Sequence, residues 1–350
     1  MAAVQLLLDL LRARGPSGRE DEAARVWRDA AEAFAEVTTD GLGSSVARIG
    51  PSDGPLLAIV GHIDEIGLAI THVDEHGFAS FATIGGQRAE SLYGQRVEIL
   101  ARRAGGGDGV VIPAVIGRKE REALGPGDEP KRTTMDELFL DLGVASREDA
   151  LALVQPGDVV VQVGEPLELA GGRFISRAID NRIGAYIALE VARRLAEAGD
   201  PPPVAAVAAV GEEAGDYSGA RTALYALRPA TAVVVDVTPA TDVPGGDPRK
   251  GGEAALGKGP AIARGLPLNP SVVDRMFATA EEEGIAVATE IVTGTTHTDA
   301  DAVHLSRAGI PTGLVSICQR HTHMPIEMID LADVEACVRL LVAFARRGVG

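Results

Sequence analysis

In the second half of the chain, continuous apolar runs alternate with segments whose apolar residues recur at helical intervals. Strand-like runs lie at 203–210, 230–235, 285–292 and 310–317, and helical patterns lie at 181–198, 218–227, 271–283 and 331–347. Strands that are apolar throughout are typically buried on both faces, and their alternation with helices is typical of parallel sheets. We therefore predict an α/β fold with a mostly parallel sheet that helices cover on both faces.

The first half of the chain adds one strand to this sheet and then changes in character. Two helical segments occupy the first 35 residues, and an apolar run at 55–60 precedes His62. From 73 to 167, short β-type runs alternate with Gly- and Pro-rich turns, which predicts an inserted small β-barrel-like domain, with the charged stretch 118–134 as an exposed loop. Residues 1–72 and 168–350 would then form one discontinuous domain around the inserted domain 73–167.

Charge and composition exclude several classes of partner. The formal net charge of −17 is unsuited to binding nucleic acid or an anionic membrane surface. No apolar run reaches the roughly 18–20 residues that span a bilayer. The N-terminal segment lacks the charge order and cleavage site of a signal peptide. We therefore expect a cytoplasmic protein that binds neither nucleic acid nor membranes.

Potential metal ligands lie close to the ends of these apolar runs. In open α/β sheets, ligands bind beyond the carboxyl ends of the strands. The chain places five candidate ligands near such ends or at the start of a long helix, namely His62, Asp180, Glu213, Asp236 and His323. Two further carboxylates, Asp64 and Glu212, stand beside them. Histidines and carboxylates in this number are the inventory of a two-metal hydrolase, in which paired cations activate a water molecule.

Each candidate also has an ordinary structural explanation when it is taken alone. A histidine at a strand end is often a packed core residue, and two adjacent glutamates such as Glu212 and Glu213 are often a solvated pair. Asp180 could be a helix N-cap. Both His321 and His323 could coordinate a cation from an extended segment, and spacing does not choose between them. The His-x-Asp spacing, however, places His62 and Asp64 on the same side of an extended segment, where the carboxylate can orient the imidazole.

Six separated motifs together resemble one known family. GHIDEIGLAITHVDEHG, AIDNRIGA, VGEEAG, VVVDVTPATDVPG, GKGPAI and HMPIEMIDLADVE occur in the order found in the M42 family of metallo-aminopeptidases, over nearly the whole chain. The resemblance implies a zinc-exopeptidase-like catalytic domain that a β dimerisation domain interrupts. It also implies two divalent metal ions per subunit, with zinc or cobalt favoured and manganese as a further option.

The resemblance also assigns roles to the candidate residues. His62 and Asp236 would bind one cation, and Glu213 and His323 the other. Asp180 would bridge the two cations. His323 is preferred over His321 because it precedes the Pro-x-Glu element at 325–327. Among the flanking carboxylates, Asp64 would orient the imidazole, and Glu212 would be the general base for a water that bridges the metals.

The implied activity is removal of the N-terminal residue from small peptides with a free N-terminus. The family's assemblies imply a homo-oligomer, from a dimer to a tetrahedral dodecamer. One alternative is a metal-dependent deacylase or amidase that acts on N-acylated amino acids or small peptides. A glycosidase would leave the histidines unexplained, and a protein with purely structural cations would leave Glu212 without a task.

Overall fold

The computed structural model describes residues 2–102, 109–120 and 132–348, which divide into two units. The first unit comprises Met1–Glu65, Glu165–Thr322 and Ile326–Gly350. The second unit comprises Ile66–Gly164 and His323–Pro325. Most of the stretch 118–134, which we expect to be an exposed loop, lies outside the described residues.

Helices and strands alternate through the first unit, and strands dominate the second. The helices, in chain order, are α1 (Ala2–Arg12), α2 (Asp21–Ala31), α3 (Ala89–Leu92), α4 (Arg147–Leu153), α5 (Ile179–Glu197), α6 (Ser218–Leu227), α7 (Pro270–Glu282), α8 (Ala300–Val303) and α9 (Leu331–Arg346). Short 3₁₀ turns lie at Met135–Glu137, Ala170–Gly172 and Pro248–Lys250. The strands are β1 (Glu36–Thr39), β2 (Ser45–Ile49), β3 (Leu57–His62), β4 (Gly67–Val73), β5 (Ala79–Ile84), β6 (Arg96–Ala101), β7 (Val110–Arg118), β8 (Leu138–Asp141), β9 (Val159–Gln162), β10 (Leu167–Glu168), β11 (Arg173–Ser176), β12 (Val204–Ala209), β13 (Thr231–Pro239), β14 (Ala261–Gly265), β15 (Ala288–Val292), β16 (Thr312–Gln319) and β17 (Glu327–Asp330).

An eight-stranded sheet forms the centre of the first unit, in the order β1-β2-β12-β3-β13-β16-β14-β15. The central strands β12, β3, β13 and β16 pair in parallel, whereas β1, β2 and β14 add antiparallel pairs. Every residue of β3 and of β12 is buried. Because successive side chains of a strand point to opposite faces, both faces of these strands are covered. The predicted mostly parallel, helix-covered sheet is confirmed. A smaller sheet of β10, β11 and β17 completes the strands of this unit.

Three features of the sheet differ from the pattern of apolar runs, and the first is β14, which lies outside every predicted strand. The hairpin of β1 and β2 contains no long apolar run, because β1 lies at the sheet edge and is mostly exposed. The apolar run at 230–235 predicts a strand that ends before Asp236, whereas β13 continues to Pro239. Pairing with β16 extends the strand, with Asp236 opposite Ser316 and Pro239 opposite Gln319. Asp236 is therefore a residue within a strand and does not simply follow one.

The second unit contains a closed barrel of six antiparallel strands, in the order β4-β5-β8-β7-β6-β9. Its core contains Leu68, Ile70, Val97, Ile99 and Leu140, which are buried. Alternate residues of β6 are buried, as a sheet with one face on a core requires. The predicted inserted β-barrel is confirmed. The unit begins at Ile66, earlier than the expected boundary at 73, because β4 pairs with β5 and β9.

Among the described residues, no helix has both the length and the apolar character that crossing a membrane requires.

Candidate metal centre

The register of three parallel strands brings the candidate residues of the first unit to one level. His62, the last residue of β3, lies opposite Ala209 at the end of β12, three residues before Glu212. Val60 lies opposite Val234 in β13, so Asp236 is level with His62 two residues further on. The carboxyl ends of adjacent parallel strands therefore deliver an imidazole and carboxylates to the same edge of the sheet.

These side chains form a buried cluster around the imidazole of His62, which is only 1% exposed. Its Nε2 atom lies 3.2 Å from Asp180 Oδ1, 3.7 Å from Glu212 Oε2 and 4.0 Å from Asp236 Oδ1. Potential ligand atoms of His62, Asp180 and Asp236 lie within 4.8 Å of one another, and the same holds for His62, Glu212 and Glu213. One nitrogen and several carboxylate oxygens thus converge in the way that a divalent cation requires.

Asp64 connects the imidazole to the backbone of the glutamate pair. Asp64 Oδ1 lies 3.4 Å from His62 Nδ1 and accepts a hydrogen bond from the amide of Glu212 at 3.2 Å. Asp64 Oδ2 accepts from the amide of Glu213 at 3.0 Å and from the hydroxyl of Ser17 at 2.6 Å. Burial acts to raise the pKa of Asp64, but the hydrogen bonds from His62, Ser17 and Glu213 lower it below its usual value. Asp64 is therefore held as a carboxylate that faces Nδ1 and leaves Nε2 for the cluster.

Two glycines allow the strand that carries His62 to lie directly against the helix that begins near Asp180. A Cβ atom on Gly61 would lie 2.2 Å from the carbonyl carbon of Gly184 in α5. A Cβ atom on Gly184 would lie 2.4 Å from the carbonyl oxygen of Val235. Real Cβ atoms do not approach backbone atoms so closely, so only glycine fits at either position. This close packing of β3, α5 and β13 places the side chains of the cluster within reach of one another.

Hydrogen bonds from the start of α5 fix the position of Asp180. The backbone there is not helical at Asp180 or Asn181, and Asn181 Oδ1 accepts from the amide of Gly184 at 2.9 Å, so the residue that caps the regular part of α5 is Asn181 and not Asp180. The amide of Asp180 donates to Glu327 Oε2 at 3.0 Å. The side chain of Asn181 donates to the carbonyl of Val235 at 2.8 Å. The helix start is thereby tied to β13 next to Asp236.

The electrostatics of the cluster fit a site for divalent cations. Burial raises the pKa of Glu212 to about 9; His62 opposes that rise, and Asp236 adds to it. Burial also raises the pKa values of Glu213 and Asp236 well above their usual range. Burial acts to lower the pKa of His62, but Glu212, Asp180 and Asp64 together raise it well above its usual value. Buried carboxylates so close together repel one another, and a divalent cation supplies the positive charge that relieves this repulsion.

The remaining predicted ligand, His323, lies in the short segment 323–325 that belongs to the second unit. Its Nδ1 atom is 2.5 Å from the carbonyl oxygen of Gly86. Since a carbonyl oxygen can only accept, Nδ1 carries the proton, and Nε2 is the atom that can bind a cation. His321 is exposed, and His297 is exposed and near Thr295 Oγ1 at 3.1 Å.

Sequence reasoning missed several polar residues that support or adjoin the cluster. Ser17 and Asn181 make the hydrogen bonds described above, and Glu327 served only to mark a motif. Asp299 is fully buried, and neither of its carboxylate oxygens has a hydrogen-bond partner in the described part of the chain. Burial raises the pKa of Asp299 to about 7. A lone polar residue has no periodic pattern, so no signal in a single sequence would identify these contacts.

Comparisons with known proteins agree on one family. A family model described as M42 glutamyl aminopeptidase matches residues 43–340. The chain is 31% identical to the lysyl aminopeptidase of Pyrococcus furiosus, over 97% of this chain and 95% of that protein. The structure is similar to a TET aminopeptidase from a marine sediment archaeon, with a TM-score of 0.92, 30% identity and coverage of 99% of this chain and 97% of that one. It is also similar to the Pyrococcus horikoshii TET1 peptidase, which can assemble into a tetrahedron or a large octahedral shell, with a TM-score of 0.84, 26% identity and coverage of 98% and 99%.

Proposed function

The chain belongs to the M42 glutamyl aminopeptidase family and is an aminopeptidase, and from that premise we propose a dinuclear, metal-dependent hydrolysis of N-terminal peptide bonds. The observation that carries this proposal is the buried cluster in which His62 Nε2 faces Asp180, Glu212 and Asp236. Its substrates are small peptides with a free N-terminus.

The cluster and the family pattern support one assignment of ligands. By this assignment His62 and Asp236 would hold one cation, Glu213 and His323 would hold the second, and Asp180 would contribute to both. The tautomer that the Gly86 carbonyl imposes on His323 supports its role, because Nε2 remains available. Imidazole nitrogen and carboxylate oxygen are ligands that suit zinc, cobalt and manganese, and we propose zinc or cobalt as the resident metal.

The reaction divides into chemistry that the cations supply and chemistry that side chains perform. When bound, two divalent cations polarise the scissile carbonyl and lower the pKa of the attacking water. Glu212 accepts a proton from that water and returns it to the leaving amine. Hydrogen bonds from the Glu212 and Glu213 amides to Asp64 fix the backbone from which the base projects. Asp64 also keeps the His62 ring in its orientation, and it acts through these groups without touching the substrate.

We further propose that the barrel unit mediates self-association. On β7, Val111 and Val115 lie four positions apart and therefore on the same face; they are 36% and 45% exposed and would form an apolar stripe on the outside of the barrel. The tetrahedral assembly of the Pyrococcus horikoshii TET1 peptidase and the dodecamer of PhTET1-12s support a homo-oligomer, from a dimer up to a tetrahedral dodecamer. Light scattering after size exclusion should show a smaller species for Val111→Glu with Val115→Glu, and an unchanged mass would contradict the role of this stripe.

The test of the activity uses matched substrates and a matched variant. Metal-stripped protein is assayed on aminoacyl-p-nitroanilides and on their N-acetylated counterparts, before and after addition of zinc, cobalt or manganese. Glu212→Gln is compared with Glu290→Gln, which alters a glutamate that instead accepts hydrogen bonds from Thr238 and Ser316. We expect metal-restored cleavage of the free-amine substrates only, lost in the first variant and retained in the second. Cleavage of the acetylated set instead would make the protein a deacylase or amidase.

A further inference from the structure

The loop between α1 and α2 brings a serine hydroxyl to the carboxylate that supports the metal cluster. Ser17 Oγ lies 2.6 Å from Asp64 Oδ2, and both side chains are buried. An ionised carboxylate can only accept hydrogen bonds, so the serine is the donor. The distance is typical of a strong O–H···O⁻ hydrogen bond. The hydroxyl of Ser17 thus donates its single hydrogen bond to Asp64.

The other contacts of the Asp64 carboxylate involve residues of the proposed site. Oδ1 accepts from the Glu212 amide at 3.2 Å and lies 3.4 Å from His62 Nδ1, which is also 3.2 Å from the backbone carbonyl of Asp64. Oδ2 accepts from the Glu213 amide at 3.0 Å as well as from Ser17. A rotation of this carboxylate would break its hydrogen bonds to the backbone of both glutamates and remove its charge from beside the imidazole, whose contact with the Asp64 carbonyl would remain. Ser17 is the one side-chain donor in this set that does not itself belong to the predicted site.

Backbone pairing holds the serine in place. The amide of Ser17 donates to the carbonyl of Glu65 at 3.3 Å, and the amide of Glu65 donates to the carbonyl of Gly15 at 3.0 Å. The side chain of Glu65 accepts from the amide of Gly15 at 3.0 Å. These contacts join the loop to the residue that follows Asp64. The hydroxyl therefore approaches the carboxylate from a fixed backbone.

We propose that Ser17 is a positioning residue of the metal centre, whose hydroxyl fixes Asp64 in the orientation that holds His62 and the Glu212–Glu213 backbone. This inference rests on the proposed function, because it assumes that these residues hold cations and activate water. Ser17 acts through Asp64 and does not touch the substrate. Its loss should therefore weaken metal binding and lower kcat while KM stays unchanged.

The expected size of the effect follows from the place of Ser17 behind Asp64, which itself supports the proposed ligand His62. Removal of a hydrogen-bonding partner directly behind a metal ligand typically lowers metal affinity about 10- to 100-fold, and since Ser17 lies one contact further away we expect the lower end, about 10-fold. Threonine retains the hydroxyl, whereas valine has the same shape without it, so Ser17→Thr and Ser17→Val form a matched pair. Ser17→Ala gives the simple deletion. Ser306→Ala is the control, because Ser306 is buried and its hydroxyl has no partner in the described part of the chain.

The experiment measures zinc affinity of the full chain by competition with a chromophoric chelator, alongside kcat and KM for an aminoacyl-p-nitroanilide. We expect a loss of zinc affinity of about 10-fold for the alanine and valine variants of Ser17, near-complete retention of affinity for the threonine variant, and no change for Ser306→Ala. In an Asp64→Asn background, the further effect of Ser17→Ala should vanish, since the serine acts through that carboxylate.

Several outcomes would overturn the inference. Equal zinc affinity for the threonine and valine variants would show that the hydroxyl has no positioning role, and this comparison holds even if Ser17→Ala does not fold. A higher KM alone, with kcat and zinc affinity unchanged, would indicate that Ser17 contacts the substrate instead. Failure of the wild-type chain to bind two zinc ions would refute the proposed function itself, and the two failures are therefore distinguishable.

Discussion

Glu65 lies at the centre of a buried ion-pair network, and its neutralisation should destabilise the first unit severely. Its side chain is 4% exposed and pairs with Arg182 Nη2 at 3.0 Å and with Arg177 Nη1, while those arginine side chains are 0% and 9% exposed. Burial lowers the pKa of Arg182, and Glu65 exerts the largest opposing influence. Glu65→Gln would leave two buried guanidinium groups without this counter-charge.

The magnitude follows from this burial. Removal of one partner from a buried ion pair typically costs about 3–5 kcal/mol, because the remaining charge stays in a medium that solvates it poorly. Glutamine can still accept from the Gly15 amide, so that contact need not be lost. The matched control is Glu335→Gln, which neutralises a glutamate 52% exposed that pairs with Arg194 at 2.7 Å. An exposed pair of this kind contributes only about 0–1 kcal/mol.

Urea unfolding followed by tryptophan emission provides the assay. Trp27 is the only tryptophan in the chain, is fully buried and donates Nε1–H to the carbonyl of Ala185 at 2.9 Å. Its emission therefore reports on packing of α2 against α5. We expect a lower midpoint with an unchanged slope for Glu65→Gln and almost no change for Glu335→Gln. A loss below about 1 kcal/mol for Glu65→Gln would show that the arginines find other compensation and would refute the reasoning.

Three further predictions concern the same unit. Burial, reinforced by Asp64, raises the pKa of Glu20 from 4.5 to about 7, so the folded chain binds this proton more tightly and stability falls as pH rises through that window. As pH rises from about 5 to about 8, the free energy of unfolding of Glu20→Gln relative to the wild type should therefore increase by roughly 3 kcal/mol, as measured by urea titrations at each pH. A difference that does not depend on pH would contradict this. Gly61→Ala would place a Cβ atom 2.2 Å from Gly184, so β3 must move from α5; we expect a loss of about 1–3 kcal/mol together with weakened zinc binding, and wild-type values for both would oppose this account. Trp27→Phe removes the hydrogen bond to Ala185 and part of a buried ring, so urea unfolding followed by circular dichroism should show a free energy of unfolding lower by about 1–3 kcal/mol. An unchanged midpoint would contradict this prediction.

The parts of the fold that could be predicted from the sequence are those that repeat along it. The strands β3, β12 and β13 consist mostly of a continuous apolar run, and that run identifies them without knowledge of their neighbours. Their parallel arrangement then places His62, Glu212 and Asp236 at one edge of the sheet. By contrast, the edge strand β1 is mostly exposed and has no such pattern.

The contacts that position the site could not be predicted in the same way. Ser17 contacts a residue 47 positions away, and Asn181 reaches a carbonyl 54 positions away. Each is a single polar residue whose partner is determined only when the chain has folded. The close packing at Gly61 and Gly184 cannot be predicted either, because a glycine in a sequence does not show which backbone it will lie against. Local patterns thus predict the elements, and the precise distances within the cluster depend on contacts distant in sequence.

The cluster also places folding and catalysis in opposition. Burial raises the pKa values of Glu212, Glu213 and Asp236, which means that the folded chain disfavours their charged forms. The roles that we propose for them, as general base and metal ligands, nevertheless require that they be ionised. The surrounding network, with Asp64 held by Ser17 and the Glu213 amide, supplies hydrogen bonds that keep these groups in place despite their mutual repulsion. Stability lost at the cluster must therefore be offset by the rest of the unit, above all by the apolar burial of its parallel strands.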